Sequence, residues 1–279
     1  MVTKLDYTRT EVEACFSVMV ELMTLLGEYR NTMVLVGGWV PYFLFENKRH
    51  EHTGSLDIDI ALDSEKISMK SYRTILKLLR ERGYEEGEQP FIFYRTINYG
   101  SDSALKVEID FLAGEYGGTA TSHRTQRVQD FKARKARGCD LVFKDNFSIK
   151  LSGKMPDGAH NEVLIQVANV VPFLVMKGMA LWERFKEKHA FDIYFTVQHF
   201  SGGIEALVRE IKPHLSNKLV REGLGKIRKK FDSVNAIGPT WVANFEGVED
   251  EEEKERIIRD AFERINTLLD ALGIEPYEE

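Results

Sequence analysis

The chain is poor in cysteine and has no long apolar run. Cys15 and Cys139 are its two cysteines in 279 residues, isolated and without the spacing of a metal site. That excludes a secreted disulfide framework and fits a reducing compartment. The longest plain apolar stretch, Val170 to Met176, has Pro172 inside it and is far too short to span a bilayer, and the N-terminus, with Lys4 and Asp6, carries no apolar leader segment. A soluble, cytoplasmic protein without a membrane role is expected. Repeats and low-complexity segments are absent. Strong charge of one sign is also missing, since the net charge of -6 does not by itself advertise a nucleic-acid partner.

What is there is an ordinary globular composition, 43% apolar and 29% charged, in a chain long enough for two domains. The charge is unevenly spread. His123 to Arg137 carries Arg124, Arg127, Lys132, Arg134, Lys135 and Arg137 against Asp130, Lys212 to Lys230 is again basic, and Glu246 to Arg256 is mostly acidic. The basic clusters could track a phosphate backbone, although such faces are more often simply solvated.

Apolar spacing predicts a helix over 10–29, a short strand at 33–36, a tight turn at Gly37-Gly38, and a helix from Pro41 through Phe45. A strand at 56–62 and a helix at 72–82 follow, then strands at 91–97, 105–112, 141–143, 147–151 and 163–167. After Pro172 the pattern turns helical, with helices near 172–184, 186–200, 203–213, 217–231 and 252–272. The expected fold is α+β: a mixed sheet with helices over 1–169 and a helical domain over 170–279.

Ser55-Leu56-Asp57-Ile58-Asp59-Ile60 holds the sharpest chemical signal. Strand side chains alternate, so Asp57 and Asp59 share one face while Leu56, Ile58, Ile60 and Leu62 take the other. Neighbouring carboxylates repel, and a shared hard cation such as Mg²⁺ relieves the repulsion. The structural alternative is an edge strand using Asp57, Asp59 and Asp63 against aggregation. A second strand, Val107 to Phe111, puts Glu108 and Asp110 on one face; Asp110, deeper in the apolar strand, is the choice for a third carboxylate, with Glu108 a solvated neighbour. Three such acids suit two metal ions about 3.5–4 Å apart on a triphosphate. Gly37-Gly38 could let backbone approach a phosphate, or be a plain turn. Ser55 could add a hydroxyl there or serve the turn.

Leu35-Val36-Gly37-Gly38-Trp39, Ser55 to Ile60 and Ile109-Asp110-Phe111 resemble the motifs of the DNA polymerase β-like nucleotidyltransferase superfamily. Lys177 to Leu181, followed by Arg184 to Asp192, is similar to the later motifs of the AbiEii/AbiGii-type toxin nucleotidyltransferases, and the resemblance covers about 33–195. It implies Mg²⁺-dependent transfer of a nucleoside monophosphate from an NTP, with Asp57, Asp59 and Asp110 as metal ligands and Lys177 in catalysis. Gly37, Gly38 and Ser55 would hold phosphates, and Lys177 and Lys188, with Asp192, the triphosphate. Read from the residues alone, Lys177 sits among apolar neighbours and must be paired, poised over an anion, or snorkelling, while Lys188 and Asp192 have the spacing of a helical ion pair. His189 stands where that family has Asp and reads as an ordinary helix histidine. His50 and His52 read as polar loop residues rather than a zinc site.

The leading function is a toxin-like enzyme acting on RNA, at a tRNA 3′ end, with Arg124, Arg127 and Lys132 on the RNA and a cognate antitoxin as a further partner. The rivals are a nucleotidyltransferase for a small hydroxylated acceptor such as an aminoglycoside, and a non-catalytic nucleotide-binding module. Retention of all three acids disfavours the last.

Overall fold

The computed structural model describes residues 2–63, 66, 75–89, 91–98, 104–114, 125–128, 131–184 and 186–278, with backbone alone at 125–128 and 131–133. The chain forms two compact units. The first, a sheet unit, comprises Thr8–Val40 and Gly54–Asn169; the second, a helical unit, comprises Met1–Tyr7, Pro41–Thr53 and Val170–Glu279. The main division falls between 169 and 170. Two N-terminal pieces, 1–7 and 41–53, join the helical unit, which no periodicity in them announces.

In the sheet unit, helix α1 (Arg9–Leu25) is capped by Thr8, whose hydroxyl accepts from the Glu11 N–H. Its core face holds Ala14, Cys15, Val18, Met19 and Leu22, all fully buried. The strands are β1 (Met33–Val36), β2 (Asp57–Leu62), β3 (Tyr84–Glu86), β4 (Ile92–Asn98), β5 (Ala104–Ala113), β6 (Thr125–Val128), β7 (Phe131–Lys135), β8 (Asn146–Lys154) and β9 (His160–Ala168). They form one mixed sheet in the order β3-β4-β5-β2-β1-β9-β8, with β7 also pairing β5 and β6 pairing β7. A turn through Pro156-Asp157-Gly158 closes the β8–β9 hairpin, with Gly158 at φ +85°. Buried Glu21 of α1 is satisfied by two guanidiniums, Arg82 and Arg95, each at 2.8 Å; an acid that deep needs such partners.

Three expectations change. Leu141 to Phe143 belongs to a 3-10 turn, Cys139–Phe143, which Gly138 opens in the left-handed conformation at φ +86°. Strand β2 lies inside the sheet, between β1 and β5, so its acids are not edge protection. The helix after the glycines, α2 (Val40–Leu44), is only five residues long, too short to offer an anion a developed helix terminus.

The helical unit contains α4 (Val170–Glu183), α5 (Glu187–His199), α6 (Gly203–Ile211), α7 (Lys218–Lys230), α8 (Ile237–Glu246) and α9 (Glu251–Ala271), while α3 (Ile75–Glu81) belongs to the sheet unit. Helices α4 and α7 touch backbone to backbone at two glycines: a Cβ on Gly178 would lie 2.2 Å from the Gly223 carbonyl oxygen. Phe45, Phe191, Phe195 and Phe245 form the aromatic core. Among the described residues no helix is long and apolar enough to cross a membrane.

Candidate active site

Strand register decides which acids meet. Strands β2 and β5 run parallel with Asp57 opposite Glu108 and Asp59 opposite Asp110, so four carboxylates occupy one face at two adjacent rungs. On the opposite face Ile58, Ile60 and Ile109 are fully buried. The antiparallel β1 places Val36 opposite Asp59, and the chain then turns at Gly37. Gly37 has φ +73°, and a Cβ there would lie 1.9 Å from Asp59 Oδ2. Only glycine satisfies both the left-handed backbone and the carboxylate lying against its Cα. The double glycine is thus more than a turn: it makes the seat for Asp59.

The other acids are held by identifiable partners. Ser55 Oγ donates to Asp57 Oδ1 at 2.5 Å, so Ser55 fixes the first carboxylate. Glu108 accepts from the Tyr94 hydroxyl and raises its pKa after burial, which leaves Asp110 as the acid beside Asp59. Asp110 is buried and its Oδ2 is 2.9 Å from Arg134 Nη1. Arg134 comes from β7, which pairs with β5 at Leu112 and Arg134, one turn of the pleat beyond the acid. Arg134 is therefore a site residue that reading the basic cluster as one surface did not separate. Asp63, just past β2, pairs with Lys66 at 2.9 Å and stays outside the cluster.

Asp57, Asp59 and Asp110 fit Mg²⁺ in kind, being hard oxygen donors, and in placement on one sheet face. Among the described residues no three His, Cys, Asp or Glu side chains converge on a single cation position. Asp57 is held by the Ser55 hydroxyl and Asp110 by the Arg134 guanidinium, whose charge offsets one of the three acids. Two buried thiols adjoin the face. Burial first and then the charge of Asp57 push Cys15 well up, and burial followed by Asp140 does the same to Cys139. Both are free and inert. Of the basic cluster, Arg124 lies outside the described residues, as do the side chains of Arg127 and Lys132.

The helical unit contains a second polar cluster. Lys177 on α4 and Lys188 on α5 both reach Asp192, at 2.6 Å and 2.8 Å. His52 Nε2 lies 3.1 Å from Asp192 Oδ1, with both side chains fully buried. Lys177 therefore does not snorkel, and its helical-pair alternative at Lys188 and Asp192 is present as well. Burial pushes the Asp192 carboxyl up, but the ammoniums of Lys177 and Lys188 outweigh it and hold Asp192 well below its usual range. An ionised carboxylate can only accept, so Nε2 of His52 carries the proton. His52 is thus no loop polar residue but a buried donor, ringed by Phe195 at 4.9 Å and Phe191 at 6.1 Å. Two ammoniums against one carboxylate leave the cluster with a surplus positive charge.

Burial, opposed by the Asp192 hydrogen bond, lowers the His52 pKa to about 4. The unfolded chain then binds a proton at this residue below about pH 6.5 that the folded chain refuses. Stability contributed here is complete above pH 6.5 and is lost as the pH falls towards 4. Urea unfolding should show His52→Gln less stable than wild type at pH 7.5 but with a shallower loss between pH 7 and 4.5; parallel curves would remove His52 as the source.

No protein-family model and no curated protein matches the chain. A crystal structure of a proposed nucleotidyltransferase from H. pylori is similar, at 12% identity and a TM-score of 0.41, over 91% of this chain and 94% of that one. What the fold defines here is an α+β protein with a mixed sheet and a helical unit.

Proposed function

We propose that the chain is a Mg²⁺-dependent nucleotidyltransferase that moves a nucleoside monophosphate from an NTP to an acceptor. The observation that carries this reading is the seating of Asp59 against Gly37 on an interior strand, in register with Asp110. An interior strand has no need of carboxylates for solubility, and the position beside one of them, at φ +73° with no room for a Cβ, is reserved for glycine. Asp57, Asp59 and Asp110 would hold the metal, which when bound neutralises phosphate charge and favours the leaving pyrophosphate. Gly37, Gly38 and Ser55 border the acids and would hold phosphates. In the transfer, the acceptor hydroxyl oxygen forms a bond to the α-phosphorus, the α–β phosphoanhydride breaks, and pyrophosphate leaves with its electron pair. Asp110 would take the hydroxyl proton, and Arg134 orients it.

The surplus charge of Lys177 and Lys188 over Asp192 suits a triphosphate. RNA is the proposed acceptor, at a tRNA 3′ end, in the manner of a toxin with a cognate antitoxin. It is favoured by the basic β6–β7 hairpin, whose β7 pairs directly with the strand bearing Asp110. Incubation with each labelled NTP, Mg²⁺ and total cellular RNA tests both parts. Label on RNA supports the reading, label on small molecules alone moves the acceptor to a small hydroxylated compound, and no labelled product with any NTP removes the proposal.

A further inference from the structure

Helix α7 carries a glycine in the middle of a basic stripe. Lys218, Arg221, Gly225 and Lys229 recur at helical spacing along one side, and the three charged residues are exposed while Gly225 is buried. Glycine is unfavourable inside a helix, and here its bare Cα admits another stretch of backbone, the segment that follows α9. The Tyr277 N–H donates to the Gly225 carbonyl oxygen at 3.1 Å, and a Cβ on Gly225 would lie 3.1 Å from the Glu275 carbonyl oxygen. Ile274 anchors this segment in the core, whereas Glu275, Pro276 and Glu278 are exposed. The Tyr277 ring stands 5.4 Å from the Trp182 ring of α4, at 76°, with the Lys226 ammonium 4.8 Å from its centroid. Lys230 lies 4.9 Å from the centroid of Trp182. Lys226 is thereby buried, and it also meets Glu222 at 2.8 Å.

An acidic, aromatic segment thus lies on a helix whose basic stripe runs past it in both directions, over about 17 Å from Lys218 to Lys229 at the rise of an α-helix. Ammoniums alternating with aromatic rings beside such a stripe suit a single nucleic-acid strand, the charges following its phosphates and a base stacking on a ring. Arg228 and Lys229 meet Asp270 and Asp232 in largely exposed pairs, which hold little energy and yield to a phosphate. We propose that the α4–α7 groove binds single-stranded RNA, with a base stacked on Trp182 in the place of Tyr277, phosphates on Lys218, Arg221, Lys229 and Lys230, and residues Glu275–Glu278 as a built-in competitor. In the closed state the Glu275 and Glu278 carboxylates stand in for phosphates and the Tyr277 ring for a base, while Ile274 stays anchored. This deepens the reading of RNA as acceptor, and rests on that reading only for the strand's being a substrate.

The test is the fluorescence anisotropy of a labelled, unstructured oligoribonucleotide titrated with the full chain, without NTP or divalent metal, so that a chain that transfers no nucleotide can still pass. Tyr277→Ala should bind about tenfold more tightly than wild type, the combined effect of losing one aromatic pair and one cation–π contact from the closed state. Gly225→Leu, which keeps α7 helical but fills the seat of the segment, should gain as much. Both gains should shrink as salt rises and vanish when Lys218→Glu and Lys229→Glu are added. A photoreactive uridine in the strand should crosslink to Trp182 in Tyr277→Ala more strongly than in wild type. Binding by Tyr277→Ala no tighter than wild type overturns the proposal, as does an equal gain for duplex RNA, since only an unpaired base can stack on Trp182. It is overturned equally if Tyr277→Ala takes up a synthetic peptide of residues 273–279 and no oligoribonucleotide, because the groove would then serve an acidic peptide.

Discussion

Replacing Asp192 by Asn should cost the protein about 3–5 kcal/mol, the range for removing one partner from a buried ion pair. Asp192 is fully buried and is the acceptor for Lys177, Lys188 and His52. Without its charge, two ammoniums with little access to water face a neutral amide, and desolvation that the carboxylate offsets becomes uncompensated. The loss should appear as a lower urea midpoint at an unchanged slope. Lys177→Met added to Asp192→Asn should recover part of it, since one of the stranded charges is gone. A midpoint within about 1 kcal/mol of wild type would mean that water or a rotamer change satisfies the lysines, and that the cluster contributes little to the fold.

Asp59→Asn should reduce nucleotidyl transfer by about a thousandfold or more, because the stabilisation a metal gives a transferring phosphoryl group is several kcal/mol. The chain should remain folded. Asn has nearly the same shape and fits against Gly37, while one of the like charges beside Asp57 and Asp110 disappears. Unfolding midpoints measured beside the rates separate the two effects. Transfer that survives within tenfold of wild type, at saturating NTP and Mg²⁺, would sink the proposed role of this carboxylate.

Much of the acidic site is legible in the sequence because its parts are local. A spacing of two puts Asp57 and Asp59 on one face, and β-branched and aromatic neighbours mark β2 and β5 as strands, as the structure has them. The register that aligns Asp59 with Asp110 is not local, and neither is the use of Arg134 from a third strand. His52 reads as a loop residue because its partner lies 140 positions away on α5, where nothing near residue 52 announces it. His189 likewise looks like an unremarked helix residue until the burial of its nitrogens is known. Helix α8 is hidden for a different reason: Gly238 and Pro239 near its start read as turn residues, and the ten-residue helix offers only Thr240 and Asn244 as a polar stripe. The hairpin of β6 and β7 is charged rather than alternating, and its pairing to β5 overrides weak strand propensity.

The central claim, that the acids on β2 and β5 direct attack at the α-phosphorus of an NTP, is tested most directly by the fate of the label. With the NTP that supports reaction, wild-type protein, Mg²⁺ and RNA, α-³²P should appear on the acceptor while γ-³²P appears in pyrophosphate, and Asp59→Asn should abolish both. Label from the γ-position on the acceptor, or transfer from the α-position that Asp59→Asn leaves intact, would contradict it.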